Sequence, residues 1–112
     1  MKQIFEKWRT YMRILLACAL GCTTGMMVEN MKKVSAPDDV IEAHSVNEVN
    51  KYYKDYDCVL LGPQVRLELN KIREMCAVDN VPVDVIDARA YGKMDGSAVY
   101  EQAKKMINEG VE

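Results

Sequence analysis

Short apolar runs alternate with amphipathic stretches along the chain. Met12–Ala17 (MRILLA) is apolar at all but one position, the pattern of a strand buried on both faces. It stops at the loop Cys18-Ala-Leu-Gly-Cys-Thr-Thr-Gly25. Thr24, Met27, Val28, Met31 and Val34 then fall on one face of a helix, which Pro37-Asp38-Asp39 ends and turns. Val40–His44 reads as a second strand. Ser45, with Glu48 three residues on, has the form of a capping box, and Val46, Val49, Tyr53 and Tyr56 share the face of the helix it would start. Cys58–Leu61 (CVLL) is a third strand, broken by Gly62-Pro63. Val65, Leu69, Ile72 and Cys76 mark the next helix, Asp79-Asn80 a turn, and Val83–Ile86 a fourth strand. Asp87–Gly96 reads as a loop before a last helix lined by Val99, Ala103, Met106 and Ile107.

The order β-α-β-α-β-α-β-α predicts a three-layer α/β fold: a four-stranded parallel sheet with helices on both faces. Right-handed crossovers leave few arrangements, and strand order 2-1-3-4, flavodoxin-like in plan, is expected. Ligands of such sheets lie beyond the strand C-termini where the winding reverses, here between strands 1 and 3. Both Cys18–Gly25 and Gly62-Pro63-Gln64 fall there.

Composition narrows the function. The 112 residues suit one domain, with residues 12–112 as its body and residues 1–11 as an extension. Fifteen Lys+Arg against seventeen Asp+Glu lack the basic surplus of a nucleic-acid binder, and no apolar run reaches membrane-span length. The four cysteines are scattered over loop, strand and helix patterns, which predicts free thiols in a reducing cytosol. Cys58 and Cys76 are core by pattern. One histidine, His44, cannot complete a zinc set with these cysteines, so no metal is expected; it reads as a surface or cap residue.

Chemistry concentrates at Cys18. A thiol at a strand end, before a Gly-containing turn into a helix, meets unpaired backbone N–H groups and the positive end of the helix dipole. That field stabilises a thiolate and an anion alike. Cys18 is the expected nucleophile, and Ala19, Leu20, Gly21, Cys22, Thr23, Thr24 and Gly25 form a P-loop-like phosphate cradle. The loop has the length of a cysteine-phosphatase loop, but Thr24 stands where the terminal arginine would be, and no Asp-Pro acid follows. Without that guanidinium a phosphorylated thiol loses the main support for its hydrolysis. A phosphoryl carrier is therefore favoured over a phosphatase. A thiol oxidoreductase or arsenate-reductase-like enzyme using Cys18 and Cys22 is the alternative, although the pair lacks C-x-x-C spacing. A non-catalytic anion-binding domain is a third possibility.

The segment ILLACALGCTTGMMVENM resembles the start of the IIB components of the phosphoenolpyruvate-dependent sugar phosphotransferase system, lactose/cellobiose family. CVLLGPQV and VDVIDARAYGKMDG are similar to that family's third-strand and final-loop motifs, so the likeness spans about residues 12–109. The resemblance implies that Cys18 takes a phosphoryl group from a phosphohistidine on a IIA partner. It then passes the group to a disaccharide (cellobiose, chitobiose or lactose type) held by a membrane IIC partner. It also implies that Gly62, Pro63, Gln64, Asp87 and Tyr91 border the site. The expected protein is cytoplasmic and monomeric in isolation. Its cargo is covalent on Cys18 and needs no separate cofactor. Two features depart from the family: Cys22 stands where methionine is expected, and residues 1–11 precede the usual start.

That leader, with Lys2, Lys7, Arg9 and Arg13 before Ile14–Leu20, imitates a signal peptide, and Leu15-Leu-Ala-Cys18 imitates a lipoprotein box. The apolar stretch is short for either, so a tail on a cytosolic domain is expected; whether Phe5 and Trp8 pin it to the body is not decided by the sequence. Met26, Met27 and Met31 read as core or as adaptable partner surface, Leu20 and Met26 as a docking rim, and Tyr52, Tyr53 and Tyr56 as a half-exposed helix edge.

Overall fold

Four short strand segments, of which only Cys58–Leu61 is apolar throughout, pair into one sheet. In the computed structural model, which describes residues 11–19 and 24–109, strands β1 (Arg13–Cys18), β2 (Val40–Ser45), β3 (Cys58–Leu61) and β4 (Val83–Val85) form a parallel sheet of order β2-β1-β3-β4. The expected topology is therefore observed. Helices α1 (Thr24–Lys32), α2 (Val49–Tyr52), α3 (Leu69–Ala77), α4 (Ala88–Gly92) and α5 (Gly96–Glu109) connect and cover it.

Alternation along β1 divides the core. Ile14 and Leu16 pack with Met27 and Met31 of α1 and with Val99 and Ala103 of α5. Leu15 and Ala17 point the other way, against Val49, Tyr53, Ile72 and Cys76. The winding explains the split. The chain moves one way from β1 to β2 and the opposite way from β2 to β3 to β4, so right-handed crossovers place α1 on one face and α2 and α3 on the other. Each fully buried leucine or isoleucine contributes about 1.5–3 kcal/mol, and Ile14, Leu15, Leu16, Leu60 and Leu61 are wholly inaccessible.

Several expectations are corrected. The helix predicted from Ser45 is broken into a tight turn (Val46–Glu48), α2 and a second tight turn (Tyr53–Asp55). Ser45 does cap the first turn, its hydroxyl accepting from Asn47 N–H at 3.3 Å, but Glu48 sits at φ −108°, outside helical geometry. Tyr53 and Tyr56 are buried rather than edge residues, because their hydroxyls find carboxylates on other elements. Tyr53 donates to Asp79 at 2.6 Å and Tyr56 to Glu42. Val34 lies beyond α1 and is exposed. The loop 87–96 contains α4, and Gly96 belongs to α5.

Gly96 sets the position of α1. A Cβ there would lie 2.4 Å from the Asn30 carbonyl carbon, so only glycine lets α5 begin against α1's backbone. Asn30 Nδ2 fastens the contact by donating to the Met94 carbonyl at 2.9 Å. The helix that follows the Cys18 loop is thus held from behind by the last helix.

Candidate functional site at the carboxyl edge of the sheet

Cys18 ends β1, beside β3 on one side and paired in register with Ser45 of β2 on the other. This is the point where the winding reverses. Gly62 follows β3 immediately, and its N–H donates to the Ala17 carbonyl at 2.7 Å. Its φ of −61° is open to any residue; the demand for glycine is one of space. A Cβ at Gly62 would stand 3.5 Å from Cys18 Cβ and 2.6 Å from Gln64 Oε1. The Gln64 side chain therefore folds back across Gly62 toward Cys18. Pro63 starts the turn that returns it (Pro63–Glu68).

Tyr91 holds the Gln64 amide from the far side, with Gln64 Nε2 donating to Tyr91 Oη at 3.0 Å. Tyr91 lies on α4, whose start is fixed by Asp87. The Asp87 carboxylate accepts from Ala90 N–H at 2.9 Å. Four predicted residues, Cys18, Gly62, Gln64 and Tyr91, thus converge from three loops. Asp87 instead acts at one remove, as a helix cap. Sequence reasoning missed Gln102, which clamps the end of β4: its Oε1 accepts from Asp87 N–H at 3.0 Å and its Nε2 donates to the Val85 carbonyl at 2.8 Å. On an amphipathic helix a glutamine reads as solvated surface, so no local signal marked it.

Of the predicted cradle, Ala19 is exposed, and Gly25 sits in the first turn of α1, where a Cβ would meet nothing within 4 Å. Leu20, Gly21, Cys22, Thr23 and the Thr24 side chain lie outside the described residues, as do residues 1–10. Met27 and Met31 are core, whereas Met26 is exposed beside the loop. His44 stacks on Tyr52, ring centroids 4.1 Å apart, a packing role. A groove lined by Asn47, Asn50, Lys71 and Met75, among others, lies between the turns after β2 and α3 and shares no residue with the Cys18 cluster.

The cysteines divide sharply. Cys58 and Cys76 are free and buried, as expected. Burial pushes the Cys58 thiol well up, with Asp57 adding to the effect. Burial, assisted by Asp79, pushes Cys76 up to about 12. Neither is a nucleophile near neutrality. Cys18 is disulfide-bonded, which corrects the expectation that all four are free thiols. Among the described residues no group of three or more His, Cys, Asp or Glu could hold a metal ion, and no helix is long and apolar enough to cross a membrane.

Known proteins resemble this chain in sequence and in fold. The oligo-β-mannoside-specific EIIB component of the phosphotransferase system of Bacillus subtilis (strain 168) is 34% identical over 98 residues, covering 85% of this chain and 95% of the relative. The cellobiose-specific EIIB component of Lactococcus lactis subsp. lactis (strain IL1403) is 33% identical over 103 residues, with the same coverage. The solution structure of a cellobiose-specific phosphotransferase IIB component from Borrelia burgdorferi superposes with a TM-score of 0.73 at 29% identity, covering 88% of this chain and 94% of that one. A lactose-specific IIB domain from Streptococcus pneumoniae shares the fold at 14% identity, with a TM-score of 0.69 over 92% of this chain and all of that one. Residues 13–102 match the family described as PTS system, Lactose/Cellobiose specific IIB subunit, and the chain belongs to that family.

Proposed function

We propose that the chain is a cytoplasmic phosphoryl carrier in which Cys18, in its reduced form, is the carrier atom's residue. The observation that carries this reading is the placement of Cys18 at the β1/β3 edge, with Gly62 cleared of side chain against it and the Gln64–Tyr91 pair beside it. Cys18 Sγ attacks the phosphorus of a phosphohistidine on the IIA partner, in line with the departing imidazole. An S–P bond forms as the N–P bond breaks. Backbone N–H groups of the sequence loop from Ala19 to Gly25, which leads from β1 to α1, stabilise the phosphoryl oxygens. A hydroxyl of a cellobiose-, chitobiose- or lactose-type disaccharide, held by the membrane IIC partner, then attacks the same phosphorus and the thiolate leaves. No arginine stands at position 24 to speed attack by water.

The test is direct. The reduced chain is incubated with phosphoenolpyruvate, the general phosphorelay proteins and a matching IIA, and its intact mass is taken. The gain of one phosphoryl group, lost in Cys18→Ser and kept in Cys76→Ala, is the expected result. A gain that survives Cys18→Ser overturns the assignment. A second reading, a thiol oxidoreductase, draws on the disulfide at Cys18. It requires catalytic turnover of a disulfide substrate by the chain without partners, and absence of that turnover removes it.

A further inference from the structure

β4 is the outermost strand on its side of the sheet. Ile86, just past its end, donates inward to the Leu61 carbonyl at 2.8 Å. On the opposite side stands the Gln102 carboxamide of α5. Its Nε2 donates to the Val85 carbonyl at 2.8 Å and its Oε1 accepts from Asp87 N–H at 3.0 Å. A carbonyl and the N–H two residues on are the pair that a residue of a neighbouring parallel strand would satisfy. Gln102 takes the place of such a residue and keeps the chain extended through Ile86. From Asp87 the bonds lead to the site. The Asp87 carbonyl accepts from Tyr91 N–H at 2.9 Å and its carboxylate from Ala90 N–H at 2.9 Å. Tyr91 Oη accepts from the Gln64 amide at 3.0 Å, and Gln64 Oε1 lies over Gly62 beside Cys18.

We propose that Gln102 is a positioning residue for phosphoryl transfer: by fixing the exit of β4 it sets where Tyr91 holds the Gln64 amide at Cys18. This role rests on the carrier reading above and adds a residue that acts on the cargo through others. Val99 and Ala103, on either side of Gln102 along α5, are wholly inaccessible and pack in the same core as Ile14 and Leu16 of β1. Gln102 therefore refers the position of Tyr91 to the strand that ends in Cys18. Val85 is half-buried and Asp87 exposed, so without the carboxamide their backbone groups bond to water and folding loses little. Water fixes no direction, however, and α4 then starts from a looser point. Tyr91 lies one turn beyond Asp87 on the five-residue α4, so a small rotation at Asp87 carries its hydroxyl off the Gln64 amide. A misplacement of about 1 Å at a reacting centre can cost up to about 100-fold in rate.

The experiment uses the full chain in reduced form. Gln102→Leu removes both bonds at similar volume, and Gln102→Ala removes them without adding apolar surface. In single-turnover phosphorylation by phosphorylated IIA, both variants should lower the maximal rate about 10-fold and leave the half-saturating IIA concentration unchanged. In a Tyr91→Phe background the same substitutions should change the rate no further, because Gln102 acts through that hydroxyl. Two-dimensional NMR gives a readout that needs no phosphoryl transfer. In both variants Asp87 N–H should exchange faster, and the Tyr91 ring and Gln64 side-chain amide resonances should shift, while Met12 N–H at the far edge keeps its wild-type behaviour. Unmoved Tyr91 and Gln64 resonances, a raised half-saturating IIA concentration at unchanged maximal rate, or an equal fold-loss in the Tyr91→Phe background each overturn the positioning role. A reduced wild-type chain that takes no phosphoryl group overturns the carrier reading and the part of Gln102 in transfer with it. That failure differs visibly from one in which wild type and both variants accept equally, which overturns the positioning role alone.

Discussion

The two edges of the sheet are closed by opposite chemistry. At the amino edge, carboxylates meet the first backbone donors of β1. Asp39 Oδ1 accepts from Met12 N–H at 2.8 Å, and Asp57, which is 3% exposed, accepts from Arg13 N–H at 2.9 Å. At the carboxyl edge the closing groups around Cys18 are neutral: the Gly62 N–H, the Gln64 amide and the Tyr91 hydroxyl. Parallel strands present N–H groups at one end and carbonyls at the other, and the helices that follow them present N–H groups at that second end. Carboxylates suit the first edge and would repel a phosphoryl group at the second. Even Asp87, predicted at the site, spends its charge on the start of α4. The contrast separates an edge that holds the sheet together from one whose described closing groups carry no charge, as the carrier reading requires.

Placing a charge at the wrong edge is the strongest way to break this contrast. Gln64→Glu puts a carboxylate beside Cys18 with little change in volume. Like charges about 4 Å apart interact by roughly 1 kcal/mol in water and about 4 kcal/mol at an effective dielectric near 20. Phosphoryl acceptance by the reduced variant should fall about 10- to 1000-fold with its urea midpoint nearly unchanged. An unchanged rate would mean that Gln64 does not face the incoming phosphorus. The converse substitution acts on stability alone. Asp57→Ala leaves the Arg13 N–H without that acceptor, at a cost of about 1–3 kcal/mol. Urea unfolding should show the loss, while phosphoryl acceptance per folded molecule stays at the wild-type value.

How much of this could be read without coordinates depends on whether the deciding contact is local. Cys58–Leu61 is buried at every position, so a continuous apolar run marked its ends correctly. The position of Cys18 followed from strand order alone. Tyr53 and Tyr56 were misjudged because the partners of their hydroxyls, Asp79 and Glu42, lie on other elements. A tyrosine whose polar tip is satisfied at long range has no signature in its neighbours. The short helix α4 escaped because only Ala90 of its five residues is buried, which leaves almost no periodicity to detect. Gln64 was placed at the site by strand order and Tyr91 by the family resemblance, but their contact with each other had no sequence signal. The disulfide at Cys18 ran against a compartment argument, which concerns average redox poise and not a single cysteine.

Gly62→Ala sharpens the comparison with a smaller effect. The added methyl would sit 2.6 Å from Gln64 Oε1 but at an ordinary 3.5 Å from Cys18 Cβ. The flexible glutamine yields, so stability should fall by less than about 1 kcal/mol, at the low end of what single substitutions cost. The amide leaves Tyr91, and phosphoryl acceptance should drop several-fold. Wild-type acceptance in Gly62→Ala would show that the Gln64–Tyr91 contact does not tune the site.

The smallest effect is silent at neutral pH and tests the carboxylates that brace the structure away from Cys18. Tyr53 is pushed up from 10.0 to about 12, first by its hydrogen bond to Asp79 and then by burial. Burial, followed by the bond to Asp39, raises Tyr100 to about 12. Both are neutral donors in the folded chain, whereas in the unfolded chain they ionise near the ordinary value. The folded state therefore holds its protons longer. Their contribution to stability is complete below pH 10 and is lost as pH rises through about 12. Melting temperature should fall across that window, and Tyr53→Phe should flatten part of the fall while lowering stability at pH 7. A melting temperature level through the window, with tyrosine ionising near pH 10 in the folded protein, would show that these carboxylates do not hold the hydroxyls as the geometry describes.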